Sequence, residues 1–238
     1  MARLWRISIL LAILICVAPP CAALTIERAL ENPVHLADVG DAPLAYLSYS
    51  SDLGEVLAAY TEYDAYAEGY GGFVIQYGGI EEETILTAVV AKEIDDVGLG
   101  MAIHWITGSD EAWLIDLGGS YRAGPVGVHL GIHDVPITRW KAIIDESHLS
   151  AGASFDLSQV ITVGIDAFFL VEPVYKGHVL FNLRPDLTAQ VYALYQDAGW
   201  DAVGVNAWLS RGALLLHAGY KMNGDKESFF RVGIGFRL

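Results

Sequence analysis

Residues 229–238 read Phe-Phe-Arg-Val-Gly-Ile-Gly-Phe-Arg-Leu, and this stretch decides the fold class. One face of it is entirely apolar, and its members are Phe230, Val232, Ile234, Phe236 and Leu238. The other face carries Phe229 followed only by arginine and glycine. Because successive side chains point to opposite faces of a β-strand, the pattern predicts a strand with one apolar face and one polar or small face.

The same alternation recurs along the chain in segments rich in Val, Ile, Tyr and Phe, each closed by Gly, Asp, Asn or Pro. These segments predict fourteen strands, with twelve as the alternative, arranged as an all-β antiparallel up-and-down transmembrane β-barrel over residues 42–238. The predicted strands are 43–50, 54–63, 66–77, 83–92, 96–106, 112–122, 125–133, 148–157, 159–170, 177–184, 187–196, 201–209, 213–221 and 228–238.

The polar faces of these strands are rich in glycine, and the chain contains 25 glycines. A soluble protein would place lysine and glutamate there, whereas small residues suit a crowded or plugged barrel lumen. Aromatic residues near the strand ends fall on the apolar faces, where interfacial girdles of membrane barrels lie. These aromatics are Tyr77, Trp105, Trp113, Tyr121, Tyr195 and Tyr220.

Residues 1–23 have the composition of a secretory signal peptide. Arg3 and Arg6 precede the apolar stretch 7–17, and small residues ending at Ala23 provide a cleavage site. Lipoprotein processing at Cys21 is the alternative, which the preceding proline disfavours. Residues 24–41 are then expected to form a periplasmic or plug-like segment before the barrel.

Both cysteines of the chain lie in the predicted signal peptide. The processed protein would therefore have no disulfide, no thiol nucleophile and no cysteine metal site, and no cofactor is expected. The net charge of −15 becomes −17 when the two arginines of residues 1–23 are removed. Such an acidic chain would repel nucleic acid, which is excluded as a partner.

The sequence resembles the FadL-like and PorV-like outer-membrane proteins. Residues 29–37, with Asn32 and Pro33, are similar to the Asn-Pro-Ala motif of that group, and residues 113–122 and 126–131 are similar to its central hairpin. The resemblance implies a barrel of about fourteen strands with an N-terminal hatch inside. It also implies either transport of hydrophobic compounds or a scaffold or shuttle role in protein export.

Charged and histidine side chains of mixed sign are predicted to point into the lumen. Such charges in a confined lumen imply ion pairing across the barrel, which either fixes a plug or lines a narrow path. The candidates for lining the lumen are His104, Asp116, Arg122, His129, Asp166, Arg184, His217 and Arg231. His133 and His178 fall on the same predicted faces.

Two residue pairs contain the residue types of a metal site or of a hydrolase active site. His129 and His133 lie four residues apart, which on a strand is roughly 13 Å and too far to share a metal ion. His148 and Ser150 share one strand face, as in outer-membrane lipid hydrolases, but they are predicted to face the lumen rather than lipid. The protein is therefore not expected to be an enzyme, and no metal is expected.

Three functions remain open from the sequence. The first is a narrow outer-membrane channel or transporter for small or hydrophobic compounds, and the second is a non-conducting structural or export-scaffold barrel. The third is a secreted soluble β-protein that binds a ligand. For a barrel in the outer membrane of a Gram-negative-type bacterium, the expected partners are outer-membrane lipid, a small hydrophobic ligand and the barrel-assembly machinery. That machinery would recognise the apolar face of the last strand as an assembly signal.

Overall fold

The alternating segments form fourteen antiparallel strands in the computed structural model. It describes residues 28–39, 42–51, 54–78, 83–108, 111–137, 147–170, 172–196 and 199–238, so the predicted signal peptide lies outside the described residues. The strands are β1 Leu44–Ser50, β2 Glu55–Asp64, β3 Gly69–Gly78, β4 Glu83–Ile94, β5 Val97–Thr107, β6 Ala112–Ala123, β7 Val126–Pro136, β8 His148–Asp156, β9 Ile161–Phe169, β10 Val174–Arg184, β11 Leu187–Gln196, β12 Gly199–Arg211, β13 Leu214–Asn223 and β14 Ser228–Arg237.

The sheet closes because β1 pairs with β14 as well as with β2. Strands β2 to β13 each pair with their two neighbours in sequence, so the chain runs up and down around the barrel. In the closing pair Leu47 lies opposite Ile234, which places outward side chains beside one another on both strands. The predicted fold class is confirmed, with fourteen strands rather than twelve.

Two strands begin later than the sequence predicts, because polar side chains stabilise four-residue turns before them. The Asp64 carboxylate accepts hydrogen bonds from the backbone N–H groups of Tyr66 and Ala67 at 2.8 and 3.3 Å, so β3 begins at 69 rather than 66. Ser158 Oγ accepts from Ile161 N at 3.2 Å, so β9 begins at 161 rather than 159. Side chains of this type commonly bond to the backbone in this way in turns.

Two other strands begin earlier than predicted. Strand β10 begins at Val174 rather than 177, since Tyr175 and Lys176 continue the pairing with β11. Strand β12 begins at Gly199 rather than 201, because Gly199 pairs with Gln196. Glycine at position 177 therefore lies inside a strand, whereas the sequence pattern suggested a strand start there.

The outer face of the barrel is apolar along almost every strand. Phe73 and Leu130 each expose 67% of their surface, and Phe230 exposes 53%. Exposed apolar side chains of this kind occur on all sides, and a soluble monomer rarely exposes a contiguous apolar patch above a few hundred Å². Among the described residues, no helix has the length and hydropathy needed to cross a membrane.

The segment 28–39, here called the plug, lies inside the barrel. Residues 28–31 form one helical turn and Pro33–Val39 form a 3-10 helix that packs against β3, β4, β5 and β6. Leu36 of the plug is 1% exposed and belongs to one buried cluster with Leu44, Trp208 and Leu215 of the wall. The interior of the barrel therefore contains a packed apolar core as well as polar groups.

Candidate functional site in the barrel lumen

Three glycines in register form a trough in the wall where the plug lies. Gly100, Gly118 and Gly131 pair side by side across β5, β6 and β7. A Cβ atom on Gly100 would lie 2.3 Å from the backbone nitrogen of Val34, and one on Gly118 would lie 1.9 Å from Asn32 Oδ1. The plug can therefore approach the wall at Gly100 and Gly118 only because these two positions have no side chain, whereas a Cβ atom on Gly131 would meet His133 and Ser150 of the wall.

The motif residues Asn32 and Pro33 form the part of the plug that occupies the trough. Asn32 Oδ1 accepts a hydrogen bond from Val34 N at 3.2 Å, and its Nδ2 donates to the Leu130 carbonyl of β7 at 3.2 Å. Asn32 is 2% exposed, and Pro33 is among the fully buried side chains. The amide of Asn32 thus shapes the plug turn and connects it to the wall.

An ion pair joins the plug to the opposite side of the wall. Glu31 Oε1 lies 2.5 Å from Lys176 Nζ on β10. Burial raises the pKa of the Glu31 carboxyl, but the charge and hydrogen bond of Lys176 outweigh this effect and hold the pKa below its ordinary value. Glu31 is therefore ionised at neutral pH, and the pair is charged.

A second polar group lies within the plug itself. Arg28 Nη2 lies 3.3 Å from His35 Nε2, and His35 Nδ1 lies 3.3 Å from Asp38 Oδ2. Burial, with the nearby charge of Arg28, lowers the pKa of His35 to about 4, so its ring is neutral at neutral pH. A neutral ring that accepts from Arg28 and donates to Asp38 fits both contacts.

The lumen wall holds two aspartates, each between two histidines: those of Asp116 lie on the two neighbouring strands, and those of Asp166 lie on β10 and, across Gly152 of β8, on β7. Asp116 Oδ2 lies 3.2 Å from His104 Nε2 and 3.1 Å from His133 Nδ1. The carboxylate oxygens of Asp166 lie 3.2 Å from His129 Nε2 and 3.3 Å from His178 Nδ1. Four predicted lumen residues, His104, Asp116, His129 and Asp166, are thus members of cross-strand clusters.

Ser150 extends the Asp116 cluster. His133 Nε2 lies 2.8 Å from Ser150 Oγ while the other ring nitrogen faces Asp116, which is the atom arrangement of a Ser-His-Asp triad. The sequence alone placed Ser150 on one strand face with His148. In the structure His148 stacks on His133 with ring centroids 4.9 Å apart, and its Nδ1 lies 3.3 Å from Asp134 Oδ2.

The space beside Ser150 decides what this arrangement can do. The adjoining cavity has a volume of about 20 Å³, enough for about one water molecule. A substrate with a scissile acyl group does not fit there, so the array can act as a hydrogen-bond relay but not as a nucleophilic site in this conformation. Within the described residues, no three His, Cys, Asp or Glu side chains are placed to hold a metal ion.

A larger cavity opens at the barrel end where β7 ends and β8 begins, here called the loop end. This loop-end vestibule has a volume of about 380 Å³. Its charged lining comprises four basic and two acidic residues, namely Arg28, Lys176, Lys221, Arg231, Glu31 and Glu55. Three inward-facing aromatic side chains also line it: Phe168, Tyr192 and Phe229. The predicted lumen residue Arg231 thus lies in this vestibule.

The opposite, turn end of the barrel has a vestibule of about 490 Å³ with the reverse charge balance. Its charged lining comprises two basic and four acidic residues: Arg28, Arg122, Asp38, Glu93, Asp96 and Asp156. Arg28 lines both vestibules and the 20 Å³ cavity between them. The plug layer of Arg28 and Glu31 therefore separates two wide spaces with opposite lining charge.

The remaining predicted residues lie at the rim or in the packed core. Arg122 pairs with Asp156 at the turn end, and Arg184 pairs with Asp186 in the turn after β10 at 2.6 Å. His217 is buried at 4% exposure, stacks on Trp208 and faces the Tyr46 hydroxyl. The assembly-signal residues of β14 point outward. The ion pair of Glu31 with Lys176 was not predicted from the sequence, because the two residues lie 145 positions apart.

No family model matches the chain, and no curated protein matches it. Among solved structures, the outer membrane protein Omp33 of Acinetobacter baumannii is similar with a TM-score of 0.58 and 12% identity, covering 82% of this chain and 96% of that chain. A variant of the Rhodopseudomonas blastica porin is similar with a TM-score of 0.52 and 11% identity, covering 83% and 99%. At these identities the similarity concerns the fold, that of outer-membrane barrels.

Proposed function

We propose that the protein is an outer-membrane channel whose narrow passage is restricted by its plug. The observation that supports this most strongly is the pair of charged vestibules at opposite ends of one closed barrel, with Arg28 of the plug lining both of them. A structural barrel would gain nothing from charged cavities of several hundred Å³, whereas a selective pore needs them.

The proposed location is the outer membrane of a Gram-negative-type bacterium, reached after cleavage of residues 1–23. The apolar exterior and the similarity to a porin and to Omp33 support this location. Outer-membrane lipid would cover the exterior, and the barrel-assembly machinery would recognise β14. Every strand pairs on both edges, so no unpaired strand edge would be exposed to lipid.

A more specific form of this proposal is a FadL-like or PorV-like role. The plug lying in the glycine trough supports it through Asn32 and Pro33, and the three inward-facing aromatics of the loop-end vestibule could receive a small hydrophobic compound. The dense polar contacts between plug and wall favour the second candidate, a non-conducting scaffold barrel. Conductance separates these two candidates.

Conductance of the purified protein in planar bilayers tests the channel. The wild type is expected to give small discrete current steps, and Glu31→Gln is expected to give larger or more frequent ones, because the plug loses its ion pair with Lys176. Glu227→Gln, at an exposed position outside the vestibules, is the matched control and is expected to behave as the wild type. Silence of the wild type and of Glu31→Gln would favour the scaffold.

Cysteine labelling tests whether the chain spans a membrane. The turn 65–68 and the connection 224–227 lie at opposite ends of the barrel, and Ala65 and Glu227 are exposed. Because turns of such barrels are periplasmic, Glu227→Cys is expected to react with an impermeant maleimide on intact cells, and Ala65→Cys only after lysis. The wild type provides the background. Equal labelling of both sites on intact cells would support the soluble alternative.

A further inference from the structure

We propose that the loop-end vestibule binds small organic anions that carry an aromatic group, such as aryl carboxylates. This inference names the solute class of the proposed channel and rests on that function. It is drawn from the charge of the vestibule, from the position of its lysines relative to aromatic rings, and from its size.

The charge of this vestibule opposes the charge of the whole chain. The protein has 29 acidic and 14 basic residues, so a cavity lined at random would be acidic. The vestibule instead has twice as many basic as acidic residues, and one of its two acidic residues, Glu31, already pairs with Lys176. A concave surface whose charges are mostly of one sign raises the local concentration of counterions, and here the counterions are anions.

The lysines of the vestibule lie against aromatic rings. Lys221 Nζ lies 5.4 Å from the centroid of the Phe229 ring on the neighbouring strand, and Lys176 Nζ lies 6.0 Å from that of Tyr192. Cation–π contacts of this geometry hold each ammonium group beside an apolar surface. A ligand that combines a carboxylate with an aromatic ring can therefore contact a cation and a ring together.

The size of the vestibule fits such a ligand. Its volume of about 380 Å³ lies at the lower end of typical small-molecule sites. The fitted ligand is thus small, anionic and partly aromatic, rather than a long-chain hydrophobic compound.

Binding of benzoate to the detergent-purified protein tests the inference, measured by calorimetry at low salt. Benzoate is expected to bind saturably, acetate more weakly, and benzylamine and benzyl alcohol not at all. The double variant Lys221→Gln, Arg231→Gln is expected to weaken benzoate binding about tenfold or more, because charged hydrogen bonds are lost. Phe229→Leu is expected to weaken benzoate binding while leaving acetate binding unchanged.

Lys226→Gln is the matched control, since Lys226 is exposed and does not line the vestibule. The ligand series on the wild type decides the inference even if the double variant fails to fold. Equal binding of benzoate and benzylamine, or no binding of benzoate, would overturn it. Conductance of the wild type decides the channel separately, so a conducting protein that does not bind benzoate would contradict the inference alone.

Discussion

Replacing Gly100 with alanine is expected to displace the plug and to raise the conductance of the barrel several-fold. The new Cβ atom would lie 2.3 Å from the nitrogen of Val34 and 2.5 Å from the carbonyl carbon of Pro33. Both are backbone atoms, so they cannot rotate away as the end of a flexible side chain could. The plug must leave the trough or shift within it, and single-channel recording in planar bilayers measures the result.

Gly177→Ala is the matched control for this prediction. Gly177 lies on the outer face of β10, and no described atom beyond its chain neighbours lies within 4 Å of its hypothetical Cβ. This variant is expected to conduct as the wild type does. If Gly100→Ala also retained wild-type conductance while migrating as a folded barrel in unboiled gels, the plug would not be the restriction.

Truncation of the chain after Gly235 is expected to abolish the folded barrel in the membrane. Phe236 and Arg237 pair with β1 on one side, Phe236 also pairs with Leu214 of β13, and Leu238 N donates to the Pro43 carbonyl. Their loss would leave backbone groups of both neighbouring strands without partners. In lipid each such group costs several kcal/mol. Immunoblotting of the outer-membrane fraction would then find little or no truncated protein.

Leu238→Phe serves as the control for the truncation. It keeps every backbone hydrogen bond of β14 and changes only the outward, exposed side chain at position 238, so wild-type levels are expected. Normal membrane levels of the truncated chain would show that closure of β14 on β1 is not required for stability.

Strand order and fold class could be predicted because each barrel strand has two different environments. The lipid-facing side requires apolar residues and the lumen side tolerates glycine and charge, which imposes a period of two on the sequence. The first residues of β3 and β9 could not be predicted, since they depend on the hydrogen bonds of Asp64 and Ser158. The alternation of apolar and polar residues continues through these turns, so it does not show where the strands begin.

The lumen residues could be assigned to a face by the same alternation, but their partners could not. Asp116 contacts His133 across a register shift in the pairing of β6 with β7, which no single-strand pattern encodes. Glu31 and Lys176 lie 145 positions apart in the chain. The contact of Ser150 with His133 has the same origin, because the sequence shows which residues share a face of one strand but not which residue of the next strand lies beside them.

In the proposed channel, the opposite charges of the two vestibules would make the lumen an asymmetric conductor. Mobile anions accumulate at the basic loop end and mobile cations at the acidic turn end. A voltage that is negative on the loop side drives both populations toward the plug layer and enriches it in carriers, whereas the reverse voltage depletes it. The barrel should thus rectify current as a bipolar diode does, and high salt should abolish the rectification by screening the fixed charges.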